Sequence, residues 1–216
     1  MNALALSRTR PFLPVVIVLL ACTSAWGTDE AKRSMDIDKG VLDEIHLKVE
    51  RIEGGVPVVI RKFGTENADL GTAAKGSESQ VRAVQEIKEM APDLLKKQIE
   101  SSLKEEGIFP EVLGQGDAPV SPKALIIEGR FVLIDPGSRA KRYFAGFGAG
   151  KSGIGVEGKV LNAAGEVLAE FKHRKHSGIG IAGGDYFKFL SDDTKDVGKD
   201  IAKFMGLWAA GKSLKD

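Results

Sequence analysis

The sequence predicts an α/β (α+β) fold: a two-layer domain in which a mixed sheet of about four to five strands, including a β-hairpin, is covered by a long kinked helix and a C-terminal helix. Three observations predict it. Apolar residues alternate with polar ones over residues 45–49, 154–160 and 167–171, the period of a half-buried strand. They recur at intervals of three and four over residues 81–103 and 189–208, the period of a helix with one buried face. Turn-forming residues punctuate these stretches at Gly54-Gly55, Asp135-Pro136-Gly137-Ser138 and Asn162-Ala163-Ala164-Gly165.

The chain begins with an address. Arg8 and Arg10 precede a short apolar block over residues 12–21, interrupted only by Pro14. A basic stretch followed by a short apolar one is the pattern of a secretory signal, and no apolar run reaches the ~20 residues needed to span a bilayer. The block ends Leu19-Leu20-Ala21-Cys22, which has the form of a lipobox, and Cys22 is the only cysteine in the chain. Its thiol would take a diacylglyceryl group before cleavage exposes its amine. Residues 1–21 are thus expected to be a lipoprotein signal peptide, with Cys22 the lipidation site and the first residue of the mature chain. Thr23 at the next position, where an aspartate would act as a retention signal, points to the outer membrane, periplasmic side. Cleavage after Ala25 or Gly27 is the alternative and would free a soluble periplasmic protein.

Residues 22–40 are polar, with mixed charge and no periodic apolar face, and are expected to form a flexible tether. Residues 41–210 are expected to form a single domain. Its first part carries Ile45, Leu47 and Val49 and then the β-branched run of residues 56–60, which predicts two strands divided at Gly54-Gly55. A small, polar surface loop follows over residues 64–76. Ser77 and Gln80 have the spacing of a capping box, and Val81, Val84, Ile87, Ala91, Leu94, Leu95, Ile99 and Leu103 form a stripe running to Gly107. Pro92 inside that stripe should kink or split the helix. Residues 124–134 predict a central strand, and residues 154–160 and 167–171 the hairpin. Asp185 is placed to cap a last helix carrying Val197, Ile201, Phe204, Met205 and Trp208.

Charge excludes one class of function. Lys plus Arg number 31 and Asp plus Glu 30, a net charge of +1, whereas a bulk nucleic-acid binder carries a basic excess. The segment Gly146-Phe147-Gly148-Ala149-Gly150-Lys151-Ser152 looks like a phosphate-binding loop, but Ala145 stands where that motif needs its first glycine, and a strand pattern follows instead of a helix. No nucleotide is therefore expected. His173 and His176 sit among Lys172, Arg174 and Lys175 at a strand end, where alternating side chains diverge and cations oppose a metal ion, so no metal is expected. His46, alone in a strand, reads as a surface or edge residue. Asp192-Asp193 read as first-turn carboxylates complementing a helix dipole. The cationic candidates for contact with an anion or a partner are Arg139, Lys141 and Arg142, beside Tyr143 and Phe144, together with Lys172, Arg174 and Lys175. The chain has no G-x-S-x-G elbow, and no cofactor or catalytic residue is assigned.

The series Arg142-Tyr143-Phe144, Gly148-Ala149-Gly150-Lys151-Ser152, Asn162-Ala163-Ala164-Gly165-Glu166-Val167, Ser177-Gly178 and Gly183-Gly184-Asp185 resembles the bacterial domain-of-unknown-function 4410 family, whose members are often lipoproteins. The likeness spans residues 56–205 and is clearest over 136–185, with Asn162 where an aspartate is usual. That family has no established activity, so the resemblance implies no catalytic residue. The order of elements is also similar to small α/β domains of outer-membrane lipoproteins, such as activators of peptidoglycan synthases and subunits of secretion assemblies. The expectation is a non-catalytic binding or assembly module of the envelope, tethered by lipid, with an envelope protein as partner. A soluble periplasmic enzyme or small-ligand carrier is the alternative.

Overall fold

The structure is a computed structural model that describes residues 35–38, 40–71, 73, 76–114, 121–137, 152–176 and 185–215. The lipobox with Cys22, the cations Arg139, Lys141 and Arg142, and the glycine-rich segment up to Lys151 lie outside the described residues.

In chain order the elements are β1 (Met35–Asp38), β2 (Glu44–Leu47), β3 (Val58–Ile60), α1 (Glu78–Glu106), β4 (Val112–Gly114), β5 (Leu125–Asp135), β6 (Gly153–Leu161), β7 (Val167–Lys175) and α2 (Tyr186–Ala210). The strands form one open mixed sheet in the order β1-β2-β7-β6-β5-β3-β4. Strand β3 runs parallel to both β4 and β5, and every other pairing is antiparallel. The sheet thus has seven strands among the described residues, not four to five. The two that sequence periodicity misses are the edges, β1 and β4: β1 lies in a polar, charged stretch and β4 comes just after Pro110 and ends at Gly114, so neither belongs to a longer alternating or β-branched run such as those that mark β2 and β3. Strand β1 also lies inside the predicted tether, whose last residues therefore belong to the sheet. At the other end Leu214 is buried and its carbonyl accepts from Val41 N at 2.8 Å, so the packed region exceeds 41–210 on both sides.

Both helices lie on one face of the sheet and pack against each other. Gly198 makes room on α2 for Gln98 of α1: an added Cβ would stand 2.9 Å from the Gln98 side chain. Helix α1 stays unbroken through Pro92. Proline has no N–H to give the carbonyl of Lys88, and the Thr65 hydroxyl donates to that carbonyl instead, at 3.4 Å. Gln80 Oε1 accepts from Ser77 N at 2.8 Å and its amide donates to Gly137 O, which joins the start of α1 to the end of β5. Gly107 closes α1 at φ 67. Asp185 caps α2 by accepting from Phe187 N at 2.9 Å. The hairpin turn is held by Asn162 Oδ1, which accepts from Ala164 N and Glu166 N at 3.0 and 2.9 Å, with Gly165 at φ 84.

The main core lies between the helices and the sheet. Phe204 is fully buried, stacked on Trp208 at 5.4 Å and tilted against Phe171 at 6.0 Å. Phe63 and Phe171 cover two strand glycines: a Cβ on Gly129 or Gly158 would stand 2.5 or 2.4 Å from the respective ring. The stripe Val197, Ile201, Phe204, Met205 and Trp208 packs into this core, as its spacing predicts. On the opposite face a small second cluster of Val59, Ala124, Ile126 and Leu161 occupies one corner. It explains why residues 124–127 are apolar without alternation: this stretch is buried on both faces.

Candidate functional site

Away from that corner, the face opposite the two helices carries rows of charged side chains among the described residues. Strand alternation places Glu44 and His46 of β2, Glu170 and Lys172 of β7, Lys159 and Glu157 of β6, and Glu128 and Arg130 of β5 on it, and Arg61 follows β3. Strand register then arranges them in two rows across the sheet. The first reads Asp36, His46, Glu170, Lys159, Glu128, Arg61. From β2 to β5 the second reads Glu44, Lys172, Glu157, Arg130, with Asp38 of β1 in register beside Glu44. Acidic and basic residues alternate along the whole first row and along the second from Glu44 to Arg130.

Neighbours in each row are paired. His46 Nδ1 lies 2.8 Å from Asp36 Oδ1, Lys159 Nζ 3.5 Å from Glu170, and Arg61 donates to Glu128 at 2.6 Å. In the second row Lys172 donates to Glu44 at 2.7 Å and Arg130 to Glu157 at 2.6 Å. From Glu44 to Arg130 the side chains of the second row are 36 to 56% exposed, so these groups are available to solvent. The hydrogen bond from Lys172 holds the Glu44 carboxyl below its ordinary range, and Glu44 in turn holds the Lys172 ammonium above its own. The rows line a shallow open trough of about 720 Å³.

A second titratable cluster lies at the end of β7, on the helix side. His173 is buried, with Nε2 at 2.9 Å from Asp200 Oδ2 of α2. Its Nδ1 stands 3.3 Å from Asp43 Oδ2, within ion-pair range but without an aligned hydrogen bond. Lys175 donates to the same Asp200 oxygen at 2.6 Å. Burial pushes the Asp200 carboxyl up, but the hydrogen bonds from His173 and Lys175 outweigh it and the net displacement is downward. The cluster clamps β7 to α2 and to the turn before β2.

The predicted cationic strand end is therefore not one patch. Lys172 and Arg174 face the open side, Lys172 bound to Glu44, while Lys175 turns to α2 and is neutralised by Asp200. Arg174 anchors its own strand through a backbone N–H to Asp43 Oδ2 at 2.6 Å. Period-two alternation divides Lys172, Arg174 and Lys175 between two faces. The two histidines diverge as expected, but His173 is buried against carboxylates and not part of a solvated edge, while exposed His176 approaches Ser152 O at 3.4 Å. The two aspartates read as first-turn dipole complements lie beyond the first turn of α2, which holds no acidic residue: Asp192 binds Lys188 at 2.7 Å, and Asp193 is buried. Ser152 leads directly into β6, the strand context that its sequence predicts. Of the row residues, sequence reading singles out Lys172, as a cationic candidate, and His46; the others escape it. Their signal was the charge at alternate positions 128 and 130, 157 and 159, and 170, 172 and 174, but only register shows that unlike charges meet.

The family model for a domain of unknown function, DUF4410, matches residues 58–182, more than half of the chain, and the chain belongs to this family. Among curated proteins none matches. Among solved structures, the PelC dodecamer from Paraburkholderia phytofirmans is 13% identical with a TM-score of 0.38, over 82% of this chain and 97% of that one. The crystal structure of an uncharacterized protein is 11% identical with a TM-score of 0.40, over 70% of this chain and 92% of that one.

Proposed function

We propose that this protein is an envelope lipoprotein, acylated at Cys22 and held on the periplasmic side of the outer membrane, whose domain is a binding or assembly module and not an enzyme. The observation that carries the reading is the helix-free sheet face with its two rows of paired charges. Fixed rows of exposed charges of both signs recognise a partner by electrostatic complementarity. They are poorly suited to general acid–base work: Glu44, held below its ordinary range by its Lys172 hydrogen bond, stays ionised at neutral pH. The sequence Leu19-Leu20-Ala21-Cys22 supports the anchor. Two or three acyl chains, at ~0.8 kcal/mol per buried CH₂, would hold the domain durably. Arg139, Lys141, Arg142 and Arg174 add cations that could meet anionic groups of a partner.

Two measurements test this. Cys22→Ala should abolish lipid labelling and release the protein to the soluble fraction or leave the precursor uncut. A variant that still fractionates with outer membranes overturns the anchor. Tagged full-length protein should retrieve a defined protein from solubilised envelopes, with retrieval lost when Arg130→Glu alters the charged face. Retrieval indifferent to that change, or a small molecule that raises the melting temperature in a ligand panel, would favour the soluble enzyme or carrier.

A further inference from the structure

We propose that two copies of this chain pair through their helix-free sheet faces, about a twofold axis that runs parallel to the strands between β6 and β7. The inference rests on the reading of that face as the binding surface, though not on lipidation. It follows from the order of charges in the rows. A row in which charge alternates over an even number of positions is the complement of its own reverse. Turning a second copy over about that axis keeps each row opposite itself but reverses its order, so that β7 faces β6 of the other copy and β2 faces β5.

The consequences can be read position by position. In the second row Lys172 then faces Glu157 of the second copy, and Glu44 faces Arg130. In the first row Glu170 faces Lys159, while an imidazole N–H of His46 faces Glu128. Every facing pair is of unlike type, and each occurs twice by symmetry. No other placement of a twofold axis parallel to the strands centres both alternating stretches at once, because Asp36 to Arg61 and Glu44 to Arg130 both have their midpoint between β7 and β6. A polyanion or a polycation would meet a like charge at every second position, so a uniformly charged partner is disfavoured.

Packed sheets lie ~10 Å apart, a gap that Lys, Arg and Glu side chains from both sides can bridge. Sheet twist makes the rows diverge away from the axis, so the four residues nearest it, Lys159, Glu170, Glu157 and Lys172, carry the contact. Each already has an unlike neighbour in its own copy at 2.6 to 3.5 Å, so pairing would join existing ion pairs into a network. Networks outperform isolated surface pairs, but desolvation opposes them, which makes the association sensitive to salt.

The test uses two populations of the full-length chain with different affinity tags, extracted together in mild detergent. Wild-type copies should co-purify at low salt, and co-purification should fall at least fivefold at ~1 M salt, where the Debye length shrinks to ~3 Å. Glu157→Lys alone sets lysine against Lys172 of its partner, and Lys172→Glu alone sets glutamate against Glu157. Each should lower self-association at least fivefold. Mixing one population of each restores unlike charges at both central contacts and should return co-purification to near the wild-type level. If a second-row variant fails to fold, Lys159→Glu mixed with Glu170→Lys reads the same geometry in the first row. Absence of wild-type self-association, single variants that associate like wild type, or a mixture no better than either variant alone would each overturn the proposal. Retrieval of a different envelope protein that needs this face, without self-association, would overturn it while leaving the proposed function standing.

Discussion

On β7, Ala169, Phe171 and His173 turn into the core while Glu170 and Lys172, between them, turn to the trough. The two faces of one strand thus obey different rules. On the helix side shape decides. Glycines stand where phenylalanine rings need space, and Phe204 is held between Phe171 and Trp208 at centroid distances of 6.0 and 5.4 Å. On the open side, away from the small apolar corner at Val59 and Ile126, charge order decides. The difference teaches where stability and recognition reside. Burial of close-packed apolar groups stabilises by several kcal/mol per side chain, whereas an exposed ion pair contributes little. The face that contributes least to folding is therefore the one free to be patterned for a partner.

Substitutions can break or sharpen that contrast. The largest effect is expected at Phe204→Ala, which removes a fully buried ring and should cost about 3–5 kcal/mol, read as a lowered denaturation midpoint. An unshifted midpoint would mean that the α2 stripe is not core. Gly158→Ala comes next. Its new Cβ would meet Phe171 at 2.4 Å and Glu128 O at 3.0 Å, and the strained repacking should cost about 1–3 kcal/mol in the same measurement. A variant as stable as wild type would show that the ring over Gly158 has room to move.

The clamp at Asp200 joins the two regimes. Its folded pKa lies below the ordinary 3.8, so the ionised form is the one the fold stabilises. That contribution is present above the ordinary value and is lost as pH falls through the lowered folded one. Melting temperatures should therefore fall in acid, and Asp200→Asn should be less stable at neutral pH with a shallower acid limb. Parallel acid limbs in variant and wild type would remove Asp200 from the account. The smallest effect is expected on the open face. Arg61→Ala breaks an exposed 2.6 Å pair with Glu128 and should cost about 0.2–1 kcal/mol. A loss as large as that at Gly158 would erase the contrast between the faces.

How much of this was legible depended on range. Local signals carried their elements: the capping box at Ser77 and Gln80, the Gly107 terminator, the Asp185 cap, the Asn162–Gly165 turn and both helix stripes, save Val81, which is exposed at the start of α1, are each written within a few neighbouring residues. Edge strands β1 and β4 were not legible, because neither belongs to a longer apolar run such as residues 45–49 and 56–60, which mark the equally short β2 and β3. The charged residues of the open face were visible as alternation, yet their meaning was not. Glu44 and Lys172 are 128 positions apart and become neighbours only because β2 joins β7.

By itself the sequence determined which segments are strands, helices and turns over most of the domain and which faces of the helices are buried, since these follow from local backbone preference and from the two periods of 2.0 and 3.6 residues. It also set the family likeness that the match over residues 58–182 establishes. Only the tertiary structure decided that β3 enters beside β5 in parallel while β1 and β2 extend the far edge, that His173 is buried between Asp43 and Asp200, and that single charges order into alternating rows. The reason is physical. Strand order and register are settled by which apolar faces can be buried together under the two helices, and the polar residues on the other face take whatever neighbours that choice assigns them.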